Sequence, residues 1–362
     1  MKRVRGLWPE LVSFPNLLLA ARRAAAGKRT RPDVAAFLLD LEPQLARLLR
    51  KLKDGSYTPG PYRCFSIRDP KPRLISAAPF RDRVVHHALT QVLEPVFEKR
   101  FSKDSFACRK GFGTHRALAR AKEAARRCRY VLKCDVRKYF PSVDHAILKG
   151  LLARAAKCPF TLDLAARIID ASNAQEEVVS YFPGDDLFTP FQRRRGLPLG
   201  NQTSQFFANV YLDPLDQFVN RQIHPDAYAR YVDDFVLFGD SKESLAESRR
   251  RIEEELCRLR LEIHPGKSRV YRTADGFTFL GWRIFPGHTR LVHENVVRFR
   301  RRMRVLASEY ARGAGWDRIH PKVRAWIAHA AYGDTWKLRQ QIFGQFAFRK
   351  GRAGVARGFV QP

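Results

Sequence analysis

Acidic residues are scarce in this sequence relative to basic ones. Its 362 residues include 36 Asp and Glu against 67 Lys and Arg, so the formal net charge is +31 at pH 7. A protein that carries so much self-repulsion usually binds a polyanion. The charge balance therefore favours a nucleic-acid-binding protein, and the 45% hydrophobic content excludes a globally disordered chain.

Paired cysteines and long apolar runs are also lacking. None of the six cysteines belongs to a C-x-x-C motif, which argues against zinc ribbons and redox sites and favours reduced, packed thiols. The N-terminal apolar stretch is interrupted by Pro9, Glu10 and Pro15, so neither a signal peptide nor a membrane span fits. We therefore predict a cytoplasmic protein without a membrane partner.

Apolar spacing and Pro/Gly breaks divide the chain into four predicted segments. They are an N-terminal helical segment (1–53), a segment that begins with a basic hairpin (54–128), a mixed segment (129–285) with an insertion around 160–196, and a basic helical segment (286–362). In the first segment we expect a helix from Asp33 onward, with its N-cap at Thr30 or Asp33.

The third segment has the pattern of an α+β unit. Its predicted order is β-α-(α)-β-β-α-β, from a strand that begins at Tyr130 to a last strand near Leu261 to Ile263. That order is the ferredoxin-like, split-βαβ arrangement. The residues after Trp282 are predicted to be helical and very basic.

Three aspartates stand where predicted strands end or turn. Asp135 closes an apolar strand, and Asp233 and Asp234 lie between two apolar β runs. An aspartate pair alone is more often ordinary turn chemistry than a metal site. Asp135 changes that balance, because close carboxylates need cations and Mg²⁺ accepts carboxylate oxygens plus substrate phosphates. The three aspartates therefore predict a nucleotidyltransferase that uses two Mg²⁺ ions.

Two motifs resemble those of reverse transcriptases. Tyr231-Val-Asp-Asp234 is similar to the family's Y-x-D-D motif, and Asp135-Val-Arg-Lys-Tyr-Phe140 resembles its first palm motif. The resemblance covers about residues 30–285 and implies an RNA-directed DNA polymerase shaped like a right hand. Segment 54–128 would then be the fingers, 129–285 the ferredoxin-like palm and 286–362 the helical thumb.

The same resemblance assigns roles at the centre of the site. It implies that Asp135 and Asp233 hold both metal ions, that Asp234 supports them, and that the Val136 carbonyl is a further ligand. Phe140 would be the steric gate that excludes the 2′-hydroxyl of a ribonucleotide; core packing is the alternative reading. Lys267 would donate a proton to the pyrophosphate leaving group.

Further segments follow the family's order and carry the remaining implied contacts. The incoming nucleotide would be bound by Arg68 and Arg73, whose guanidinium groups suit bidentate phosphate pairing. Phe279, Leu280, Gly281 and Trp282 would form the primer grip. Nucleic acid would be contacted by Lys71, Arg109, Lys110, Arg298, Arg301 and Arg302. For Lys71 and for Arg298, Arg301 and Arg302, the alternative to a nucleic-acid contact is a solvated basic surface.

The segment from Gly196 to Gln205 points to one branch of the family. Most reverse transcriptases have glutamine before the glycine of this motif, whereas this sequence has Leu199 before Gly200. An apolar residue there is the pattern of diversity-generating retroelement enzymes, which copy a template repeat with errors concentrated at adenines. Gly200 would let the backbone approach the nascent base pair. Plain packing at the start of a helix is the alternative for Leu199.

The resemblance also implies partners and leaves rival functions open. The partners are a template RNA, the RNA/cDNA duplex, dNTPs and an oligomer of a small basic accessory protein, in a bacterial or phage-encoded system. The nearest rival is a retron-type or stand-alone intron-type reverse transcriptase of ordinary fidelity. A non-catalytic RNA-binding scaffold and a template-independent polymerase are the others.

Overall fold

Short helices form the N-terminal part of the chain. The computed structural model describes residues 3–68, 72–172, 176–346 and 348–349, so Lys71 lies outside the described residues. The first helices are α1 (Leu7–Leu11), α2 (Phe14–Ala25), α3 (Pro32–Leu39) and α4 (Leu41–Lys53). The single helix predicted from Asp33 onward is wrong, because the chain breaks at Asp40 between α3 and α4.

The predicted start of that helix is also corrected. The N-cap of α3 is Arg31, rather than Thr30 or Asp33, and Pro32 takes the first helical position. Proline suits that position because its φ angle is already helical and the amide hydrogen that it lacks would have no partner there.

A basic hairpin and two helices follow. Strands β1 (Arg63–Ile67) and β2 (Arg73–Ala77) pair antiparallel, with Ile67 opposite Arg73. Helices α5 (Phe80–Glu98) and α6 (Thr114–Arg127) come next. Helix α5 is largely buried and packs against α2 and α11 (Gln202–Phe218).

The central sheet has four antiparallel strands in the spatial order β4-β5-β3-β6. These are β3 (Tyr130–Asp135), β4 (Ala227–Tyr231), β5 (Asp234–Gly239) and β6 (Arg269–Arg272). Between β3 and β4 lie α7 (Tyr139–Ser142), α8 (His145–Ala155), α9 (Pro159–Asp170), α10 (Thr189–Gln192) and α11; α12 (Lys242–Arg258) joins β5 to β6. This connectivity is a split βαβ unit.

The last strand of this sheet lies later in the chain than the sequence predicted. Ile263 forms one isolated bridge, to Val136, and the ladder with β3 is made instead by β6. Pro265 explains the shift, because it has no amide hydrogen to donate and a pairing strand cannot continue through it. The chain turns at residues 265–267 and re-enters the sheet at Arg269.

The residues after Trp282 are not all helical, which corrects another expectation. Strands β7 (Phe277–Phe279), β8 (Trp282–Ile284) and β9 (Thr289–Leu291) form a separate antiparallel sheet. Within the described residues, this sheet is followed by the helices α13 (His293–Ala311), α14 (Trp316–Ala330) and α15 (Trp336–Gly344).

Alternate residues of the central sheet point into two cores. Leu132 and Cys134 of β3 join the larger core, with α5, α8 and α11. Val131 joins the second core, with α6, the small sheet and α13. Because successive side chains of a strand point to opposite faces, the sheet is covered on both sides and only its ends can host a site.

The six cysteines all carry reduced thiols that are not joined in disulfides, in agreement with the absence of paired motifs. Three of them, Cys128, Cys134 and Cys158, are buried. Among the helices of the described residues, none combines the length and the apolar content that crossing a bilayer requires.

Candidate active site

The end of β3 and the β4–β5 hairpin bring the three aspartates to one edge of the sheet. Asp135 lies directly opposite Asp234 in the ladder between β3 and β5. Asp233 belongs to the two-residue loop that joins β4 to β5, which Tyr231 and Asp234 close as a pair. Two carboxylates on neighbouring strands and a third in the adjoining turn therefore share this edge.

The hairpin loop carries backbone strain next to the aspartates. Val232, its first residue, has φ +59°, a left-handed conformation that costs a non-glycine residue about 1–2 kcal/mol. For a β-branched residue this is a genuine outlier, and such outliers are concentrated at functional sites. Both carbonyls of the loop are held: Arg230 Nη1 donates to Val232 O at 3.0 Å and Val136 N to Asp233 O at 3.1 Å.

Burial disfavours the charged forms of Asp233 and Asp234. It raises the pKa of Asp234 to about 7, although Lys133 Nζ lies 3.7 Å from Asp234 Oδ1. Burial also raises the pKa of Asp233, and the negative charge of Asp135 adds to that rise. Asp234 Oδ1 has no hydrogen-bond partner within the described part of the chain. A buried oxygen in that state suits a hard cation, which takes oxygen ligands.

Lys267 already binds one of the aspartates. Its Nζ lies 3.1 Å and 3.3 Å from the two carboxylate oxygens of Asp135. The turn at 265–267 brings it there, because His264 N donates to the Asp135 carbonyl at 2.7 Å. No group of three His, Cys, Asp or Glu side chains in the described ranges is arranged as a ready-made metal cluster. The donors thus fit Mg²⁺ chemically, and a cation at Asp135 would compete with Lys267.

Phe140 and Leu199, the predicted steric gate and fidelity residue, are both half-buried. The Phe140 ring packs against Tyr139, with ring centroids 5.5 Å apart, and against the larger core. Leu199 accepts a hydrogen bond at its carbonyl from Ser76 N, at 2.9 Å, which ties it to β2. Partial exposure is compatible with both readings of each residue. Phe140 can be the steric gate or a core residue, and Leu199 can contact the nascent base pair or pack at the start of a helix.

Gly200 is required by the protein's own packing. It has φ +108°, and a Cβ added there would lie 2.9 Å from Ile75 Cγ2 on β2. Any side chain would therefore strain the backbone and push against the hairpin. This constraint comes from the protein alone. Glycine is therefore required at position 200 for packing, in addition to the predicted approach of the backbone to the base pair.

One of the two arginines predicted to bind the triphosphate lines a large open cleft. Arg68 lines a cleft of about 1060 Å³ together with one side of α13, contributed by His293, Glu294, Val297, Arg298, Arg301, Arg302 and Val305. Arg73 is exposed at the start of β2, and its positive charge acts on Asp233. The hairpin and α13 thus place basic groups on two sides of one cleft.

Arg109, which the sequence predicts to contact nucleic acid, has its side chain buried against the protein's own groups. Its side chain is 4% exposed and forms an ion pair with Glu98 at 2.9 Å. The same guanidinium donates to the carbonyls of Ser102 and Ser105 and lies 4.1 Å from the centre of the Phe112 ring. Arg109 therefore shapes the loop before α6. Its neighbour Lys110 is exposed.

Only half of the predicted primer grip is accessible. Phe279 and Trp282 are fully buried in the second core. Leu280 and Gly281 form the turn between β7 and β8, with φ values of +50° and +82°. The Gly281 carbonyl accepts from Val292 N and Asn295 Nδ2, each at 3.2 Å, so α13 braces this turn. A primer contact is thus limited to the turn.

Sequence reasoning missed a buried ion pair behind the aspartates. Arg230 of β4 and Asp216 of α11 are both fully buried, and Arg230 Nε and Nη2 donate to the two Asp216 oxygens at 2.7 Å and 2.5 Å. The available signal was an arginine inside an otherwise apolar strand, since a buried charge is retained only when it is paired.

Comparison with known proteins identifies the class of this protein. The profile described as "Reverse transcriptase (RNA-dependent DNA polymerase)" matches residues 67–284. That range contains the basic hairpin, the central sheet and all three aspartates. The protein is thus an RNA-directed DNA polymerase. More particularly, the chain belongs to the reverse transcriptase family.

Its relatives include proteins encoded in introns. "Protein YkfC" of Escherichia coli K12 is 27% identical over 338 residues, covering 79% of this chain and 85% of YkfC. "Group II intron-encoded protein LtrA" of Lactococcus lactis is 26% identical over 211 residues, covering 58% of this chain and 33% of LtrA. A protein in the cob intron of Schizosaccharomyces pombe is 27% identical over 169 residues, 47% of this chain and 20% of that protein.

Proposed function

We propose that this reverse transcriptase carries out RNA-templated DNA synthesis with two Mg²⁺ ions at Asp135, Asp233 and Asp234, as the error-prone enzyme of a diversity-generating retroelement. The observation that carries the catalytic part is the pairing of Asp135 with Asp234 across β3 and β5, together with a buried Asp234 oxygen that has no hydrogen-bond partner among the described residues. The Val136 carbonyl is the further proposed ligand.

The chain's own groups supply binding and orientation. Bound Mg²⁺ would stabilise the attacking and leaving oxygens of the phosphoryl transfer. Arg68 and Arg73 would bind the triphosphate, and Phe140 would pack against the sugar where a 2′-hydroxyl would project. The Lys267 Nζ lies at Asp135, within the site whose leaving group it would protonate.

Fingers, palm and thumb are the proposed roles of segments 54–128, 129–285 and 286–362. The basic cleft between Arg68 and α13 supports this division, because a polymerase needs a basic channel for its duplex between fingers and thumb. The proposed partners are template RNA, the RNA/cDNA duplex and dNTPs. An oligomer of a small basic accessory protein is a further proposed partner, supported only by the resemblance to retroelement enzymes.

The catalytic proposal is tested by Asp233→Asn. The substitution removes one proposed metal ligand and keeps the size of the side chain, so extension of a DNA primer on an RNA template should fall at least a thousandfold. RNA affinity should stay within about twofold, because the phosphate contacts are elsewhere.

Asp163→Asn is the matched control. Asp163 is exposed and pairs with Arg167 on its own helix, so both extension and RNA affinity should equal those of the wild type. Normal extension by Asp233→Asn would contradict the catalytic proposal.

The fidelity proposal is tested by Leu199→Gln. Glutamine adds a hydrogen-bonding group beside the nascent base pair, and one added restraint of about 1.4 kcal/mol raises discrimination about tenfold. Misincorporation opposite template adenine should fall more than opposite the other bases, with extension retained. Sequencing cDNA copied from one RNA template by both proteins measures this.

Leu199→Met controls for a change of side chain without a new polar group, and its error spectrum should match that of the wild type. An adenine error rate that is equal in wild type and Leu199→Gln would remove Leu199 from the fidelity mechanism.

A stand-alone intron-type reverse transcriptase of ordinary fidelity is the second candidate. The intron-encoded relatives favour it. The wild-type error spectrum separates the two functions: a uniform low error rate supports the intron-type enzyme, and errors concentrated at adenines support the retroelement enzyme.

A further inference from the structure

Behind the aspartate turn lies the buried ion pair of Arg230 and Asp216. Both side chains are 0% exposed. Tyr228 Oη donates to Asp216 Oδ1 at 2.8 Å, and Arg230 Nη2 donates to Ser105 Oγ at 2.9 Å. Burying such a pair contributes little to stability compared with an apolar substitute of the same size. Its presence therefore calls for another explanation.

One donor of the pair reaches the strained loop. Arg230 Nη1 donates to the Val232 carbonyl at 3.0 Å and lies 3.4 Å from Asn209 Oδ1. The contact holds the peptide plane between Val232 and Asp233. The peptide plane on the other side of Asp233 is held by Val136 N, which donates to the Asp233 carbonyl. With both planes fixed, the direction of the Asp233 Cα–Cβ bond, from which the carboxylate projects, is fixed as well.

Arginine has the geometry that this task requires. Its planar guanidinium offers five donors in a rigid fork, so two can bind Asp216 while others reach Ser105 and Val232. Helix α11 holds Asp216, and the loop at Ser105 is bridged to the backbone of Arg230. Lysine would keep the charge but would lose the fork. The substitution Arg230→Lys can therefore separate the effect of the positive charge from the effect of the oriented guanidinium group.

We infer that Arg230, oriented by Asp216, is a positioning residue that holds the left-handed Val232 and thereby aims the Asp233 carboxylate. The inference rests on the proposed catalytic role of Asp233. Residues that orient metal ligands typically affect metal affinity 10–100-fold when they are changed. The readout must therefore report metal binding as well as activity.

The experiment measures Mn²⁺ binding to the full chain without nucleic acid, by the loss of the free Mn²⁺ EPR signal. Primer extension at increasing Mg²⁺ and the thermal midpoint Tm are measured on the same samples. Arg230→Lys should raise the half-saturating concentration of both metals about tenfold. Arg193→Lys is the matched control: Arg193 is 5% exposed and paired with Asp185, away from the turn. It should lower Tm and leave both concentrations unchanged.

A second substitution tests whether Arg230 acts through the turn. Val232→Gly allows φ +59° without strain, so the loop no longer needs to be held. In the double variant Arg230→Lys/Val232→Gly, the half-saturating Mn²⁺ concentration should return to within about twofold of Val232→Gly alone, a non-additivity that independent sites do not show. Additive effects would overturn the inference.

Tyr228→Phe covers the case in which Arg230→Lys does not fold. It removes one hydrogen bond to Asp216 and leaves both charges paired, so it should raise the half-saturating Mn²⁺ concentration about threefold. If that concentration is unchanged, or if Arg230→Lys lowers Tm as Arg193→Lys does without weakening metal binding, the pair is structural only. A fully active Asp233→Asn would instead refute the proposed function.

Discussion

At Asp234, burial of the carboxylate works against its ionisation. Burial raises its pKa to about 7, and Lys133 at 3.7 Å compensates only in part. A cation that binds Asp234 Oδ1 would favour the charged form. The raised pKa of Asp234 and the left-handed backbone of Val232 both cost local stability, and both belong to the arrangement that holds the negative charges together.

Phe140 has two candidate roles, core packing and the exclusion of ribonucleotides, which an experiment must distinguish. Its ring is anchored on Tyr139 and on the larger core while one part stays exposed. Phe140→Ala should open the space beside the sugar 2′ carbon and reduce the preference for dNTPs over rNTPs at least tenfold. The relative kcat/KM for the two substrates in primer extension measures it.

Stability distinguishes the alternative for Phe140. The lost packing should lower the free energy of unfolding by about 1–3 kcal/mol, less than the usual cost at a fully buried phenylalanine. A loss of stability with unchanged nucleotide preference would assign Phe140 to the core and place the gate elsewhere.

At the scale of elements, one loop shows how adjacent basic residues take different roles. Arg109 turns inward to Glu98 and two carbonyls, whereas Lys110 points to solvent. The guanidinium satisfies carbonyls that the loop would otherwise leave without donors. The loop between α5 and α6 is thus held by Arg109 and presents Lys110.

Arg109→Ala and Lys110→Ala form a matched pair of variants. Arg109→Ala should lower the free energy of unfolding by about 2 kcal/mol, because two carbonyls and Glu98 lose their donor, and should leave the salt dependence of RNA binding unchanged. Lys110→Ala should have the opposite profile: unchanged stability and a log-log salt slope smaller by about 0.7. Chemical denaturation and RNA titration at several salt concentrations measure both. A smaller salt slope for Arg109→Ala would restore its predicted phosphate contact.

For the whole molecule, part of the excess of basic residues lines the cleft between the β1–β2 hairpin and α13. Arg68 lies on one side, and Arg298, Arg301 and Arg302 on the other. Three of the four arginines of α12, Arg249, Arg250 and Arg258, are paired with glutamates three or four residues away. Because paired charges attract phosphate less, these three arginines should contribute less to RNA binding than the α13 arginines that line the cleft.

We expect RNA binding to weaken steeply with salt, and we expect the arginines of α13 to account for much of this dependence. Replacing Arg298, Arg301 and Arg302 with glutamine should weaken single-stranded RNA binding and reduce the slope of log K against log salt by about 2, since each released phosphate contact contributes about 0.7. Replacing Arg249, Arg250 and Arg258 of α12 is the control and should leave the slope nearly unchanged. Equal effects of the two triple variants would show a diffuse charge effect without a defined channel.

The sequence by itself determined the elements that carry the site. Alternating and helical periodicity, together with turn residues, predict strands over 130–135 and 228–238 and helices over 82–100, 114–128, 145–157 and 243–260. Strands β3, β4 and β5 and helices α5, α6, α8 and α12 agree with these ranges to within a few residues. The three aspartates followed, because they stand where those strands end. These signals are local: each depends on residues within one or two turns of chain.

Only the tertiary structure decided the contacts between distant segments. Lys267 meets Asp135 across 132 residues, and Arg230 meets Ser105 across 125. Whether an arginine faces phosphate or the interior, as at Arg109, depends on which carbonyls and carboxylates folding brings near it. Periodicity contains no information on such partners, because they are set by the packing of elements that are far apart in the chain.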